Sequence, residues 1–141
     1  MNLPVWVAAA ARAAVLVLNG GSAPASVELR IPGENGTRYV PVRAASRLDG
    51  GDQALAISVC DPGPGLDLTR GLEIWVRAVR TSMPGPGFQI KAGAGVGRHE
   101  QDDSLCISGF GRDLLDLNLS DLLIVQSALD LEVVLPRGKE L

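Results

Sequence analysis

The sequence predicts an α+β fold: a largely antiparallel or mixed sheet with two flanking helices. Three observations point there. The chain opens on a long alanine-rich apolar run, its middle alternates short apolar segments with Gly/Pro/Asn turns, and one late stretch spaces its leucines like a helix face. The 141 residues are 46% hydrophobic, enough for one domain spanning residues 1–141 with its own core. Aromatics are only 4%, so that core must be aliphatic.

The elements follow in order. Leu3–Leu18 is apolar apart from Arg12, and its alanines suit a helix packed closely on a sheet. Asn19-Gly20-Gly21 supplies the stop. Met1-Asn2 offers no basic segment and Arg12 sits mid-run, so a signal peptide and a membrane span are both disfavoured and a buried amphipathic helix is expected. Ser26–Ile31 alternates Val27, Leu29 and Ile31. Glu34-Asn35-Gly36 turns the chain, and Arg38–Arg43 returns as the second arm of a hairpin. Ala54–Val59, Leu72–Arg80 and Phe88–Ala92 read as strands, Leu105–Ile107 as another, and Leu131–Leu135 as the last. Leu114–Ile124 carries the helical leucine pattern, with Asp113, Asp116 and Asp121 off that face.

Charge and special residues narrow the function. The net charge of −3 argues against a general nucleic-acid binder. Only Lys91 and Lys139 are lysines, and the arginine excess suits two-pronged carboxylate or phosphate recognition or reflects a GC-rich coding sequence. Cys60 and Cys106 lie far apart and His99 has no companion at ligand spacing, so no metal site is expected. Two cysteines in apolar runs fit reduced core residues and a cytoplasmic protein. There is no Gly-x-Ser-x-Gly and no histidine beside a nucleophile, which disfavours covalent hydrolysis.

Two loops carry the candidate chemistry. Asp61–Gly71 reads Asp-Pro-Gly-Pro-Gly-Leu-Asp-Leu-Thr-Arg-Gly, two carboxylates, a hydroxyl and a guanidinium on a loop stiffened by proline. Asp61 and Asp67 there could act as an acid–base pair, orient a ligand, or only cap turns. Gly93-Ala94-Gly95-Val96-Gly97 follows a strand and allows close approach of a nucleoside, or is a tight turn. No helix start or P-loop lysine follows it.

Taken together, these stretches resemble the cobalt-precorrin-5B C(1)-methyltransferase family (CbiD family). Leu3–Ala14 is similar to its alanine-rich start. Asp61, Gly63, Asp67, Thr69 and Gly71 fall on its Asp/Gly/Thr motif, and Gly93, Gly95, Val96 and Gly97 on its glycine motif. The variant with Asp-Leu-Thr-Arg, of cyanobacterial type, is more similar still. It shares an Asn-Leu pair like Asn118-Leu119 and a stretch like Leu135-Pro136-Arg137-Gly138. The chain departs from the family at its missing leading Gly-Tyr-Thr, and at Ala8, Pro64-Gly65, Arg70 and Ala94, which replace a cysteine, an acidic pair, a histidine and a glutamate. Family members run far past Leu141 into a second, glycine-rich domain, so an N-terminal portion of a two-domain enzyme is expected.

The resemblance implies a transferase of cobalamin biosynthesis, within porphyrin and corrin metabolism. A ring carbon of a cobalt-corrinoid substrate takes a methyl group from S-adenosyl-L-methionine, and the protein aligns donor and acceptor and excludes water. Substrate- or cofactor-binding candidates are Asp61, Gly63, Asp67, Thr69, Arg70, Gly93, Gly95, Gly97 and Arg98, with Arg70 and Arg98 facing the substrate carboxylates. No residue is singled out as catalytic. The alternatives are a non-catalytic corrinoid-binding or scaffolding module and a nonfunctional fragment. Self-association is expected, because apolar surface and strand edges would otherwise lie open.

Overall fold

The computed structural model describes residues 2–61, 70–96 and 109–137. The first helix, α1 (Leu3–Leu18), begins after Asn2, with Pro4 in its first turn. Two strands follow, β1 (Ser26–Arg30) and β2 (Thr37–Pro41), paired antiparallel with Val27 opposite Val40. The chain then crosses to a five-stranded sheet: β3 (Ala44–Leu48), β4 (Gln53–Val59), β5 (Glu73–Arg80), β6 (Phe88–Ala92) and β7 (Leu129–Val134). Its order is β3-β4-β5-β7-β6. Between β6 and β7 runs a second helix, α2 (Gly109–Leu119), continued by a short 3-10 turn at Ser120–Leu122.

The α+β class holds, with three differences of detail. α1 is not amphipathic in place. It lies against β3, β4 and β5 on one side and against α2 and β1 on the other, so it is buried nearly all round. Ala8, Ala9, Ala10, Ala13 and Ala14 are all at 1% exposure or less, as are Ala54, Ala56 and Ala78 on the sheet beneath. Small side chains on both surfaces let the helix and sheet come close. Second, β3 is a strand that the sequence reading did not mark. Ala-Ala-Ser-Arg-Leu is an exposed edge with no clean alternation, and it is held by pairing to β4 rather than by burial.

Third, the late helix starts at Gly109 and ends at Leu119, not Leu114–Ile124. Its first residues, Gly-Phe-Gly-Arg-Asp, have poor helix propensity and hide the start. Near its end the Asn118 side chain bonds β1, and the Asn118 carbonyl accepts from Arg12 of α1. The last strand likewise begins at Leu129, before the expected Leu131. The expected strand at Leu105–Ile107 lies outside the described residues.

Hairpins do not account for the whole sheet. β7 inserts between β5 and β6, pairing antiparallel with β5 and parallel with β6. The parallel pair requires a crossover, which the segment containing α2 supplies. On one face of the sheet Ile74, Val76, Leu131 and Val133 are buried in the same core as α1. The outer face carries half-buried Leu55, Ile57, Trp75 and Val79 beside the ion pairs Arg77–Glu132 and Lys91–Asp130.

Candidate functional site

The strand registers place both motif loops at one end of the large sheet. Val59, at the end of β4, faces Glu73 at the start of β5. Trp75 of β5 faces Val134 at the end of β7, and Val133 faces Ala92 at the end of β6. The loop after β4 and the loop after β6 therefore leave the same edge. The first loop leaves β4, three strand spacings or about 14 Å from β6, and returns into β5, two spacings or about 10 Å from it. The N-terminal turn of α1 reaches the same end, because Ser58 Oγ donates to the Trp6 carbonyl at 2.8 Å. The far end of α1 is tied at the opposite edge, where Arg80 donates to Leu18 O (3.2 Å) and Asn19 Oδ1 (2.7 Å).

The neck of the first loop is well ordered by backbone bonds. Cys60 N–H donates to Leu72 O and Gly71 N–H to Cys60 O, each at 2.9 Å. Gly71 has φ +78°, a left-handed conformation that favours glycine. Arg70 Nη1 meets Asp61 Oδ1 at 3.3 Å across the neck, with both groups partly exposed. Two sequence-chosen residues are thus brought together. Gly63, Asp67 and Thr69 lie outside the described residues.

The second loop has local reasons for its glycines. A Cβ on Gly93 would sit 2.6 Å from Val134 Cγ2 and 2.9 Å from Val133 O, so β7 leaves no room for one. Gly93 N–H donates to Val133 O at 2.7 Å, and Leu135 N–H to Ala94 O at 2.9 Å. Gly95 has φ +79°, the second place where the turn itself asks for glycine. The space opposite Gly93 belongs to β7. Gly97, Arg98, His99 and Cys106 lie outside the described residues.

Two cavities among the described residues flank the helical layer. One, of about 260 Å³, opens at the motif end and is lined by Trp6, Pro41, Val42, Arg43, Val59 and Asp61. The sequence reading did not select Trp6 or Arg43, because neither belongs to a motif. Trp6 is 3% exposed, and its indole Nε1 is buried without a hydrogen-bond partner among the described residues. An unmet buried donor costs about 1–3 kcal/mol. The other cavity, of about 290 Å³, lies between α1, α2 and β1 and is lined by Arg12, Glu28, Arg30, Asn118 and Asp121.

Most polar groups of this second cavity are tied up in the fold, the Arg30 guanidinium excepted. Arg12 donates to both Asp121 oxygens (2.8 and 3.0 Å) and to Asn118 O (2.8 Å). The hydrogen bond from Arg12 holds the Asp121 carboxyl below its usual range. Asn118, 4% exposed, accepts from Arg30 N–H (2.8 Å) and donates to Arg30 O (2.7 Å) and Leu114 O (2.8 Å). Its amide pairs with β1 as a neighbouring strand would. The Asn-Leu pair picked out in the sequence thus has a structural role.

An α+β domain with paired Asp/Thr and glycine loops at one sheet end is the arrangement to be placed among known proteins. The chain belongs to the CbiD family, whose model matches residues 1–141. Among its relatives is a cobalt-precorrin-5B C(1)-methyltransferase of Synechococcus sp. (strain CC9902), 52% identical over 141 residues, which are all of this chain and 38% of that protein. Proteins of the same name from Synechococcus sp. (strain CC9605) and Parasynechococcus marenigrum (strain WH8102) are 47% and 48% identical, covering 38% and 39% of their own lengths. The chain therefore spans under two fifths of these curated relatives. No solved structure matches it. No described helix is long and apolar enough to cross a membrane.

Proposed function

We propose that this chain is the N-terminal portion of a methyltransferase that transfers a methyl group from S-adenosyl-L-methionine to C1 of cobalt-precorrin-5B, in the cytoplasm. One observation carries the reading: the two family motifs, distant in sequence, share one end of one sheet, with their bases about 10–14 Å apart. That edge is the surface we assign to the corrinoid. Asp61 and Arg70 form the neck of the first loop there. In this role Arg70 faces a substrate carboxylate, while Asp61 holds the guanidinium in place. Asp67, Thr69 and Arg98 belong to the same proposal through their motif positions. Gly93, Gly95 and Gly97 belong to it by the same motif positions, while Gly93 also packs against β7 and Gly95 also serves the turn.

A chimera tests this. Residues 1–141 replace the corresponding part of the Synechococcus sp. (strain CC9902) relative. The product is incubated with labelled S-adenosylmethionine and cobalt-precorrin-5B. The expected result is label at C1, with Asp61→Ala or Asp67→Ala lowering kcat/KM by about tenfold or more, the worth of one charge-assisted hydrogen bond. A folded chimera that binds corrinoid without transferring methyl would favour the non-catalytic module. A folded chimera that does neither would overturn the reading.

A further inference from the structure

The cavity at the motif end combines three features that the motifs do not explain. Trp6 forms part of its wall, and the indole N–H has no acceptor among the described residues. Arg43, exposed on the same wall, makes no side-chain hydrogen bond or ion pair among the described residues. α1 presents its N-terminal end nearby with no acidic residue in the first turn and no side-chain cap from Asn2. Each feature favours an incoming anion: a planar cation, an unsatisfied donor, and the positive end of a 16-residue helix. Asp61 on the rim is met by Arg70.

Arg43 sits where the chain crosses from the small sheet to the large one. Val42 N–H still bonds Ala25 O at 2.9 Å, and Arg43 N–H already bonds Ile57 O at 2.8 Å. Trp6 Nε1 has almost no surface of its own, so an oxygen reaches it only as this crossing or the loop neck shifts outward.

We propose that the Trp6–Arg43 cavity is a carboxylate subsite, with the guanidinium of Arg43 and the indole N–H of Trp6 as donors. The carboxylate is an acetate or propionate arm at the corrinoid periphery. That assignment rests on the corrinoid reading above, whereas the subsite itself does not. The arm would seat the ring edge beside both motif loops.

The test uses the ¹⁵N-labelled chain. It has two tryptophans, so two indole signals are expected, and Trp75→Phe tells them apart. Three probes are titrated: dicyanocobyrinic acid, its fully methylated ester, and succinate. The Trp6 indole signal should move with the free acid and stay still with the ester. Arg43→Ala should weaken binding of the acid about tenfold or more, and Trp6→Phe several-fold. Binding of the acid with the Trp6 signal unmoved and Arg43→Ala silent would overturn the subsite and leave the corrinoid reading intact. A response to succinate without binding of the cobyrinic acid would support the subsite and sink the corrinoid reading. No response to either acid would overturn the subsite.

Discussion

Replacing Asn118 by alanine tests how the hairpin is fastened to the helical layer. The amide makes three hydrogen bonds, at 2.8, 2.7 and 2.8 Å, two of them to the backbone of Arg30 at the end of β1. At about 1 kcal/mol net for each, the loss is about 3 kcal/mol, and less where water reaches the exposed Arg30 backbone, so about 2–3 kcal/mol is expected. For a chain of this size a kilocalorie shifts Tm by about 4 °C, so the variant should melt about 8–12 °C below the parent. Asn118→Asp keeps an acceptor for Arg30 N–H but sets carboxylate oxygens against Arg30 O and Leu114 O. At neutral pH it should cost at least as much. Thermal melts followed by circular dichroism give both numbers. An alanine variant melting within about 2 °C of the parent would refute the strand-mimic role, because the bonds would then be worth under about 1 kcal/mol together.

Three further outcomes are expected. Asp121→Asn should cost under about 1 kcal/mol, because its carboxylate is more than half exposed and the pair is screened. The Asp121 pKa is lowered by folding, so its contribution is present above the unfolded value of 3.8 and lost as pH falls through the folded one. Parent and variant melts should therefore converge on acidification, and a gap that persists or widens in acid would contradict the assignment. Gly93→Ala should cost about 1–3 kcal/mol from overpacking against β7, with Val134→Ala restoring part of it. An unaltered urea midpoint for Gly93→Ala would mean that the loop has room. Light scattering across a concentration series should show self-association, given the half-buried Ile57 and Trp75 on the outer sheet face and the open edges of β3 and β6. A monomer throughout would refute that.

Local pattern was enough for much of this protein. The alanine-rich run, the alternating segments and the Gly/Pro/Asn turns located α1 and most strands, because periodicity and turn chemistry act over a few residues. Phe88–Ala92 was legible to the residue. The order of the two motifs was also enough to suggest the family that the whole-chain match establishes. Other features depend on contacts between distant residues. α1 looks half-exposed by Arg12 alone, but Asp121 lies across from it, 109 positions away, and the hairpin with α2 closes the far side. β3 exists because β4 offers it hydrogen bonds, not because Ala-Ala-Ser-Arg-Leu favours a strand. Near the end of α2, Asn118 reaches Arg30, 88 positions back. Trp6 and Arg43 share a cavity only because α1 and the β2–β3 crossing arrive at one sheet end. Sequence determined which segments could be helix or strand and which family they belong to. Tertiary packing decided which polar groups meet, since that depends on strand order and register, which no short window of sequence encodes.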